Sequence, residues 1–555
     1  MKKSGTKSTI IGAVLAILVL FLSWFVGLTP INIHDEGFWV TIIMALFAFI
    51  IPKGIAKSMH GENAVHIIQN GNKVEITGRP KADKALLIPV ALILVMIIAA
   101  GAGSTVLNAG KYSSILEIQQ VEFTDDMDES VGTSSIALMD TASAKMLGDR
   151  EIGSLANVVS QFNVSPDYTQ IDFGGVPKKV AALEYAGFFK WFNNRNEGVP
   201  GYVTVDPVSM SASYKESSGM KYVPSAYLFE DAARHIRLAY PTEMFGNLHF
   251  EIDEDGNPFY VVSVYKRSIG LFGGQTVSGC IVLDPVSGEM QKYDTGDVPH
   301  WVDVVFDGNL ICEQYNWHGE LQNGFWNSVI SKKGCKQVTT YIPSDAEDDP
   351  PTSDYGYVAK DGDIWIYTGV TSVNGDSSNI GFLLANERTG EAHYYAIAGA
   401  DEKSAMAAAE GEVQEKGYQA SFPSLINVDG RPTYIMVLKD ASGLVKLYAA
   451  VNVEQYNLVT TASSQAECMV KYRNLLGINS DNASVEADGE YTIIVKAIRY
   501  IDIEGNTYIY LVDENDSIYR AKAADHEELI PITEGEIITI ICSGKEILSL
   551  SEAKG

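Results

Sequence analysis

The chain has 555 residues, 46% of them apolar and 20% charged, with a formal net charge of −29. That length exceeds what one hydrophobic core organises, so several domains are expected. Acidity of this size excludes nucleic acid, or an anionic lipid surface, held through bulk charge.

The charge is uneven. Residues 1–107 hold 9 Lys/Arg and 5 Asp/Glu, so the acidity lies beyond them. This stretch carries three apolar segments. Residues 9–28 and 85–107 are each long enough to cross a bilayer. Residues 38–51 are shorter and span only if Gly37 and the flank 52–56 are included. Met1-Lys2-Lys3 precedes the first segment as in a signal peptide, but the segment's length and the lack of a small-residue cleavage site favour an anchor.

Loop charges set an expected orientation. Lys2, Lys3 and Lys7 precede the first segment, and the loop 29–37 has no Lys or Arg. The loop 53–84 carries Lys53, Lys57, Lys73, Arg79, Lys81 and Lys84. The positive-inside rule puts the N-terminus and that loop in the cytoplasm of a cell membrane. Three crossings then leave residues 108–555 extracytoplasmic. A re-entrant second segment would reverse this.

Residues 108–135 read as a juxtamembrane linker, solvated around Asp125-Asp126-Met127-Asp128-Glu129. From 136 to 478 the chain alternates helical and strand patterns. An amphipathic helix is predicted over 180–193, then a strand and turn at 202–207, and a helix over 226–240. Strands follow at 248–253, 259–265, 277–284 and 290–293. A helix near 301–317 precedes strands 363–368, 380–386 and 393–397. A helix over 404–416 precedes strands 420–427, 433–438 and 445–452, and a helix over 465–476 closes the series.

Two turn signals recur inside this series. Asp255-Gly256-Asn257-Pro258 returns as Asp429-Gly430-Arg431-Pro432, with a degenerate copy at Asp361-Gly362. Each is followed by an apolar strand ending in Asp284, Asn386 or Asn452, at offsets of 29, 25 and 23 residues. Asp-Gly between apolar runs signals a hairpin, and near-constant spacing signals one supersecondary unit used repeatedly.

Helix, hairpin, then a strand running into Asp284-Pro285-Val286-Ser287-Gly288-Glu289 resembles the PepSY module, a small extracytoplasmic unit whose hallmark strand ends in Asp-x-x-Thr/Ser-Gly-Glu. Asn386, Thr389, Gly390 and Glu391 match with Asn for Asp. Asn452 lacks the Gly-Glu, having Gln455-Tyr456, and Asp206 is followed by Ser209-Met210. The whole chain is also similar to large membrane-anchored proteins of Gram-positive bacteria. The resemblance implies modulation of secreted or membrane enzymes.

The last 70 or so residues change character. Strands are expected at 491–502, 507–513, 517–523 and 536–542, as in a small barrel resembling an OB fold or SH3-like barrel. Tyr500, Tyr508, Tyr510 and Tyr519 sit among Asp502, Glu504, Asp513, Glu514 and Asp516, so they are read as packing and not as a nucleic-acid platform.

The expected class is therefore α+β: transmembrane helices, an array of helix-plus-meander units, then the barrel. The boundaries are 1–107 for the membrane domain, 108–135 for the linker and 136–225 for a first α+β unit. PepSY-like units follow at 226–298, 299–403 (degenerate) and 404–478, with the barrel at 479–555.

No catalytic or metal motif is present. Gly270-Leu271-Phe272-Gly273-Gly274 lies between strands and reads as a hairpin loop. Arg234-His235-Ile236-Arg237 reads as a solvated basic face or an anion site. Glu251, Asp253, Glu254 and Asp255 are placed at a hairpin tip. Cys280, Cys312, Cys335, Cys468 and Cys542 read as buried thiols, with a Cys312–Cys335 bridge as the alternative. Exposed aromatics mark binding patches. Trp317, Phe325 and Trp326, in the turns 316–319 and 323–327, are the candidates for contact with a protein or envelope polymer. Asp255, Gly256, Asp284, Gly288, Asn386, Gly390, Asp429 and Gly430 are structural turn residues. The expected function is a non-enzymatic, membrane-anchored binding or regulatory protein without a cofactor. An accessory subunit of a membrane assembly, or a hydrolase of envelope material, are the alternatives.

Overall fold

The computed structural model describes residues 2–60, 66–70, 73–77, 84–127, 138–339, 341–342, 352–353, 355–373, 378–478, 489–503, 506–514, 517–523, 526–543 and 545–551. It divides into two units, residues 1–120 with 141–394, and residues 121–140 with 395–555.

The first unit begins with α1 (Lys2–Phe25), α2 (Glu36–His60) and α3 (Leu87–Ala102). All three are long and apolar enough to cross a membrane, over Thr6–Phe25, Glu36–Ala56 and Lys84–Ala102. The short second segment gains its length by continuing helically through Pro52. α1 and α2 are joined by polar contacts, because Ser23 Oγ bonds the hydroxyls of Thr29 and Thr41.

Three antiparallel meanders follow. Sheet I holds β1 (Thr169–Asp172), β2 (Pro177–Tyr185), β3 (Val199–Asp206) and β4 (Ser211–Met220). Sheet II holds β5 (Met244–Ile252), β6 (Pro258–Ile269), β7 (Gly273–Leu283) and β8 (Met290–Asp294). Sheet III holds β9 (Gly356–Lys360), β10 (Asp363–Ser372), β11 (Gly381–Asn386) and β12 (Ala392–Tyr395). Helix α4 (Ala232–Ala239) precedes sheet II, and α5 (Gly308–Leu321) precedes sheet III.

The second unit repeats the plan. α6 (Glu402–Gly411) precedes sheet IV, made of β13 (Ser424–Val428), β14 (Arg431–Lys439), β15 (Val445–Asn452) and β16 (Val459–Ala462). After α7 (Gln465–Leu475) come β17 (Gly489–Ile503), β18 (Asn506–Asp513), β19 (Ile518–Lys522), β20 (Ile537–Ser543) and β21 (Glu546–Ser551). These close a barrel in the order β17-β18-β19-β21-β20. Its core includes Val495, Ile509, Leu511 and Ile540.

Both turn signals fall where each sheet needs them. Asp361-Gly362 and Asp429-Gly430 form two-residue hairpins with positive φ at both positions (57° and 76°; 52° and 74°), the geometry that suits the strand twist. The Asp255-Gly256 loop is longer. Asp253 closes it by accepting from Asp255 N–H at 3.0 Å and Asn257 N–H at 2.8 Å.

The turns between the third and fourth strands share one device. Asp284 Oδ1 accepts from the Val286 and Ser287 amides at 2.8 and 3.2 Å, and Gly288 adopts φ +80°. Asn386 Oδ1 does the same for Arg388 and Thr389 at 2.8 and 2.9 Å, with Gly390 at φ +76°. Asp206 bonds Val208 and Ser209, both at 2.9 Å, and here Met210 takes the left-handed position at φ 54°. Asn452 bonds only Gln455 N–H among these positions, in a longer turn closed by Asn452 N–H to Leu458 O at 3.0 Å.

Several expectations need correction. Residues 177–185 are a strand, and only Phe188–Asn194 are helical. β2 is buried on both faces, so it shows no alternation, and a continuous apolar run is ambiguous with a helix. The helix expected near 301–317 starts at Gly308, where Asp307 caps it by accepting from Asn309 and Leu310 N–H. Residues 316–319 accordingly lie within α5 and are not an exposed turn. The linker reading also fails over its described part. Leu116, Phe123 and Met127 are buried, Ile118–Gln120 pairs in parallel with β12, and Tyr395 OH donates to Asp126 Oδ2 at 2.6 Å. Asp128 and Glu129 lie outside the described residues. All five cysteines are buried thiols outside any disulfide, so Cys312 and Cys335 form no bridge.

Candidate functional site

Two groups of expected site residues prove structural. Arg234 and Arg237 form neither an anion site nor a solvated face. Arg234 Nε donates to Phe25 O at 2.9 Å, and Arg237 Nε donates to Leu28 O at 2.8 Å. They cap the C-terminal end of α1, where free carbonyls favour cations. Glu251 is not at a hairpin tip, because it is fully buried in β5.

The aromatic candidates divide. Trp317 meets Tyr112 edge-to-face at 5.0 Å, and Phe325 packs beside it on Leu321 and Ile269. Trp326 is 67% exposed, next to exposed Val329 and Ile330.

The richer site is a cavity of about 470 Å³ within the first unit, and no sequence motif announces it. Its residues come from β1 (Thr169, Gln170) and the loop before it (Asp167, Tyr168), from β5 (Leu248, His249), and from β9 (Tyr357) with Tyr355 before it. Val304, Asp307 and Glu387 also line it.

Buried carboxyls surround this space. Glu251 accepts from the Asp303 and Val304 amides at 2.8 and 3.1 Å. Asp303 Oδ2 accepts from Asp172 N–H at 3.0 Å. Glu387 receives the Gly308 amide on its carboxylate, and its Oε2 is buried without a partner. Burial, followed by the neighbouring acids, holds the Asp303 and Glu387 carboxyls well above the usual range. Burial likewise pushes Glu251 up to about 8, against the opposing pull of its two amide donors. Desolvation dominates here because no water competes for these groups. Burial lowers the His249 imidazole below its ordinary value, against the opposing pull of Asp307 at 3.9 Å. Lys179 is 2% exposed, donates to Thr141 Oγ1 at 3.4 Å and lies 5.0 Å from the Tyr357 ring centre.

Gln170 adds the most telling feature. It is 2% exposed, and both its amide atoms lack a hydrogen-bond partner. The Tyr168 hydroxyl is buried and unpartnered as well. Buried polar atoms in this condition cost about 1–3 kcal/mol each; Gln170 and Glu387 both line the cavity, whereas the Tyr168 hydroxyl lies against Gly148. Among the described residues, no group of His, Cys, Asp and Glu is arranged to hold a metal ion.

The acid cluster has a consequence for stability. Glu251 binds its proton more tightly in the folded chain than at the ordinary glutamate value of 4.5. Stability from this group is therefore greatest below pH 4.5 and declines as pH rises toward about 8. The slope is at most about 1.4 kcal/mol per pH unit. Urea unfolding of wild type and Glu251→Gln across this window checks it. A parallel pair of curves would remove Glu251 as the source.

No family model and no curated protein matches the chain. Among solved structures, that of a B. megaterium levansucrase mutant is similar at a TM-score of 0.19 and 9% identity, over 80% of this chain and 98% of that chain. A likeness at that score carries no argument about fold or activity.

Proposed function

We propose that this is a membrane-anchored, extracytoplasmic binding or regulatory protein without catalysis, in which the helix-plus-meander units are PepSY-like and the terminal barrel is OB-like. One observation carries the reading: the loops at the ends of the helices are bonded to the segment that leads into sheet II and to its β6–β7 hairpin. Ile31 N–H donates to Pro241 O at 2.8 Å, and Asn32 Nδ2 to Thr242 O at 2.8 Å. His34 Nδ1 bonds Leu271 O at 2.9 Å. Tyr112 OH donates to Gly103 O at 2.8 Å and accepts from Gly274 N–H at 3.2 Å. The C-terminal ends of α1 and α3 and the turn before α2 thus share one side with sheet II. With loop 53–84 carrying the positive charge, this arrangement supports an outside location for the sheets.

Aromatic exposure supports the same placement. Phe229 meets Phe25 of α1 edge-on at 5.6 Å and is 61% exposed. Phe188, Phe189 and Phe192 are also exposed, and Phe188 joins this surface through Tyr227 at 5.1 Å. Of these rings Tyr227, 38% exposed, has the amphipathic character that suits the headgroup layer.

Single cysteines at Ser218 and Asn70, in a background lacking the native thiols, test the reading in intact cells. An impermeant maleimide is expected to label position 218 and spare position 70. The reverse pattern would move the sheets to the cytoplasm and discard secreted partners.

An accessory-subunit role is the second reading. An apolar cleft between α1 and α2, lined by Leu20, Phe21, Trp24, Phe38 and Ile42, favours it, because the Trp24 indole N–H there is buried and unpartnered. Copurification of another membrane protein that requires residues 1–107 would support this alternative.

A further inference from the structure

We propose that the cavity lined by Tyr168, Gln170, His249, Tyr355, Tyr357 and Glu387 binds a small organic ammonium ion carrying a neighbouring hydroxyl or carbonyl oxygen. This rests on the binding-protein reading and names its ligand class.

The unmet groups define the ligand. Glu387 Oε2 and Gln170 Oε1 are two buried oxygens without donors. A primary ammonium brings three N–H donors. Gln170 Nε2 is a donor without an acceptor, so the ligand needs an oxygen near its nitrogen. The Tyr355 ring, edge-to-face with Tyr357 at 5.7 Å, supplies a π system that attracts a cation, while the Tyr357 ring already meets Lys179 at 5.0 Å.

Charge agrees. Asp167 and Asp307 line the cavity, and Asp172, Glu251 and Asp303 lie behind it, joined by hydrogen bonds. Against them stands Lys179, on Thr141 Oγ1. Arg388 is engaged by Asp363 at 2.6 and 2.7 Å. About 470 Å³ holds a molecule of amino-sugar size and excludes a polymer segment of several units. Burial favours the protonated form of the Glu387 carboxyl and pairing with an ammonium favours the carboxylate, so any proton displaced goes to solvent. Binding therefore liberates up to one proton per ligand.

Titration calorimetry on the full chain in nanodiscs tests this, using glucosamine and ethanolamine with glucose and ethylene glycol as neutral counterparts. The ammonium compounds are expected to bind at least about tenfold more tightly than the neutral ones. Their heats should differ between phosphate and Tris buffers at neutral pH in the sense of proton release. Glu387→Gln is expected to weaken binding about tenfold and abolish the buffer dependence, with its thermal unfolding confirming a folded chain. Asp167→Asn, at an exposed position, is expected to weaken binding severalfold if the charge argument holds. Equal affinity for glucose and glucosamine, or no saturable binding of either ammonium, would overturn the proposal. Such a failure with position 218 still labelled from outside removes the ligand class and leaves the extracytoplasmic reading. Ammonium binding with position 218 protected does the opposite.

Discussion

Gly288→Val is expected to destabilise the protein by about 2–6 kcal/mol. Two costs add. Gly288 sits at φ +80°, a region that a β-branched residue enters only with strain of about 1–3 kcal/mol. A Cβ there would also lie 2.5 Å from Tyr222 Cε2, and Tyr222 is stacked on His235 at 4.1 Å. His235 in turn bonds Gly288 O at 3.0 Å, so the ring has little room to retreat. Overpacking of this kind costs about 1–3 kcal/mol. Asp284→Ala removes side-chain bonds to Val286, Ser287 and the Ser287 hydroxyl, and a smaller loss of about 1–2 kcal/mol is expected. Thermal unfolding of the two variants beside wild type reads the order. A Gly288→Val melting temperature equal to wild type would sink the turn geometry.

Asp363→Ala is expected to cost about 3–5 kcal/mol. Asp363 is 7% exposed at its side chain and receives Arg388 on both oxygens, at 2.6 and 2.7 Å. Asn386 Nδ2 adds a third bond at 2.8 Å. The aspartate thereby ties the start of β10 to the turn after β11. Its removal leaves a largely buried guanidinium without a counter-charge, which is worse than removing both partners. The double variant Asp363→Ala with Arg388→Met should recover part of the loss. Additive losses in the three variants would show that the two side chains do not act as a pair.

The antiparallel meanders were legible because their turns use few residues with strong backbone preferences. Asp429-Gly430 and Asp361-Gly362 both close two-residue hairpins. Asp206 marks an equivalent turn too, but Met210 stands where Gly288 and Gly390 stand elsewhere, so the sequence pattern hides a shared backbone. The strand 177–185 was illegible for the opposite reason: burial on both faces erases its period. The cavity was invisible altogether. Gln170, His249 and Glu387 are scattered along the chain as ordinary polar residues, and only packing removes water from them. Asp307 offered one usable signal, an N-cap ahead of Asn309 and Leu310, and it lines the same cavity.

The bonds from Phe25, Leu28, Ile31, Asn32 and His34 to the segment 234–271, with Tyr112 bridging Gly103 and Gly274, have a mechanical meaning. Gly273 belongs to the same joint, since an added Cβ would come within 2.4 Å of Gly103 O. A tethered domain on a loose stalk tumbles and averages over orientations. Here the tilt of the apolar helices and the attitude of sheet II are one degree of freedom. On the membrane-anchored reading, a change in bilayer thickness that tilts the helices would turn sheet II with them, which makes lipid composition an input to whatever that sheet presents.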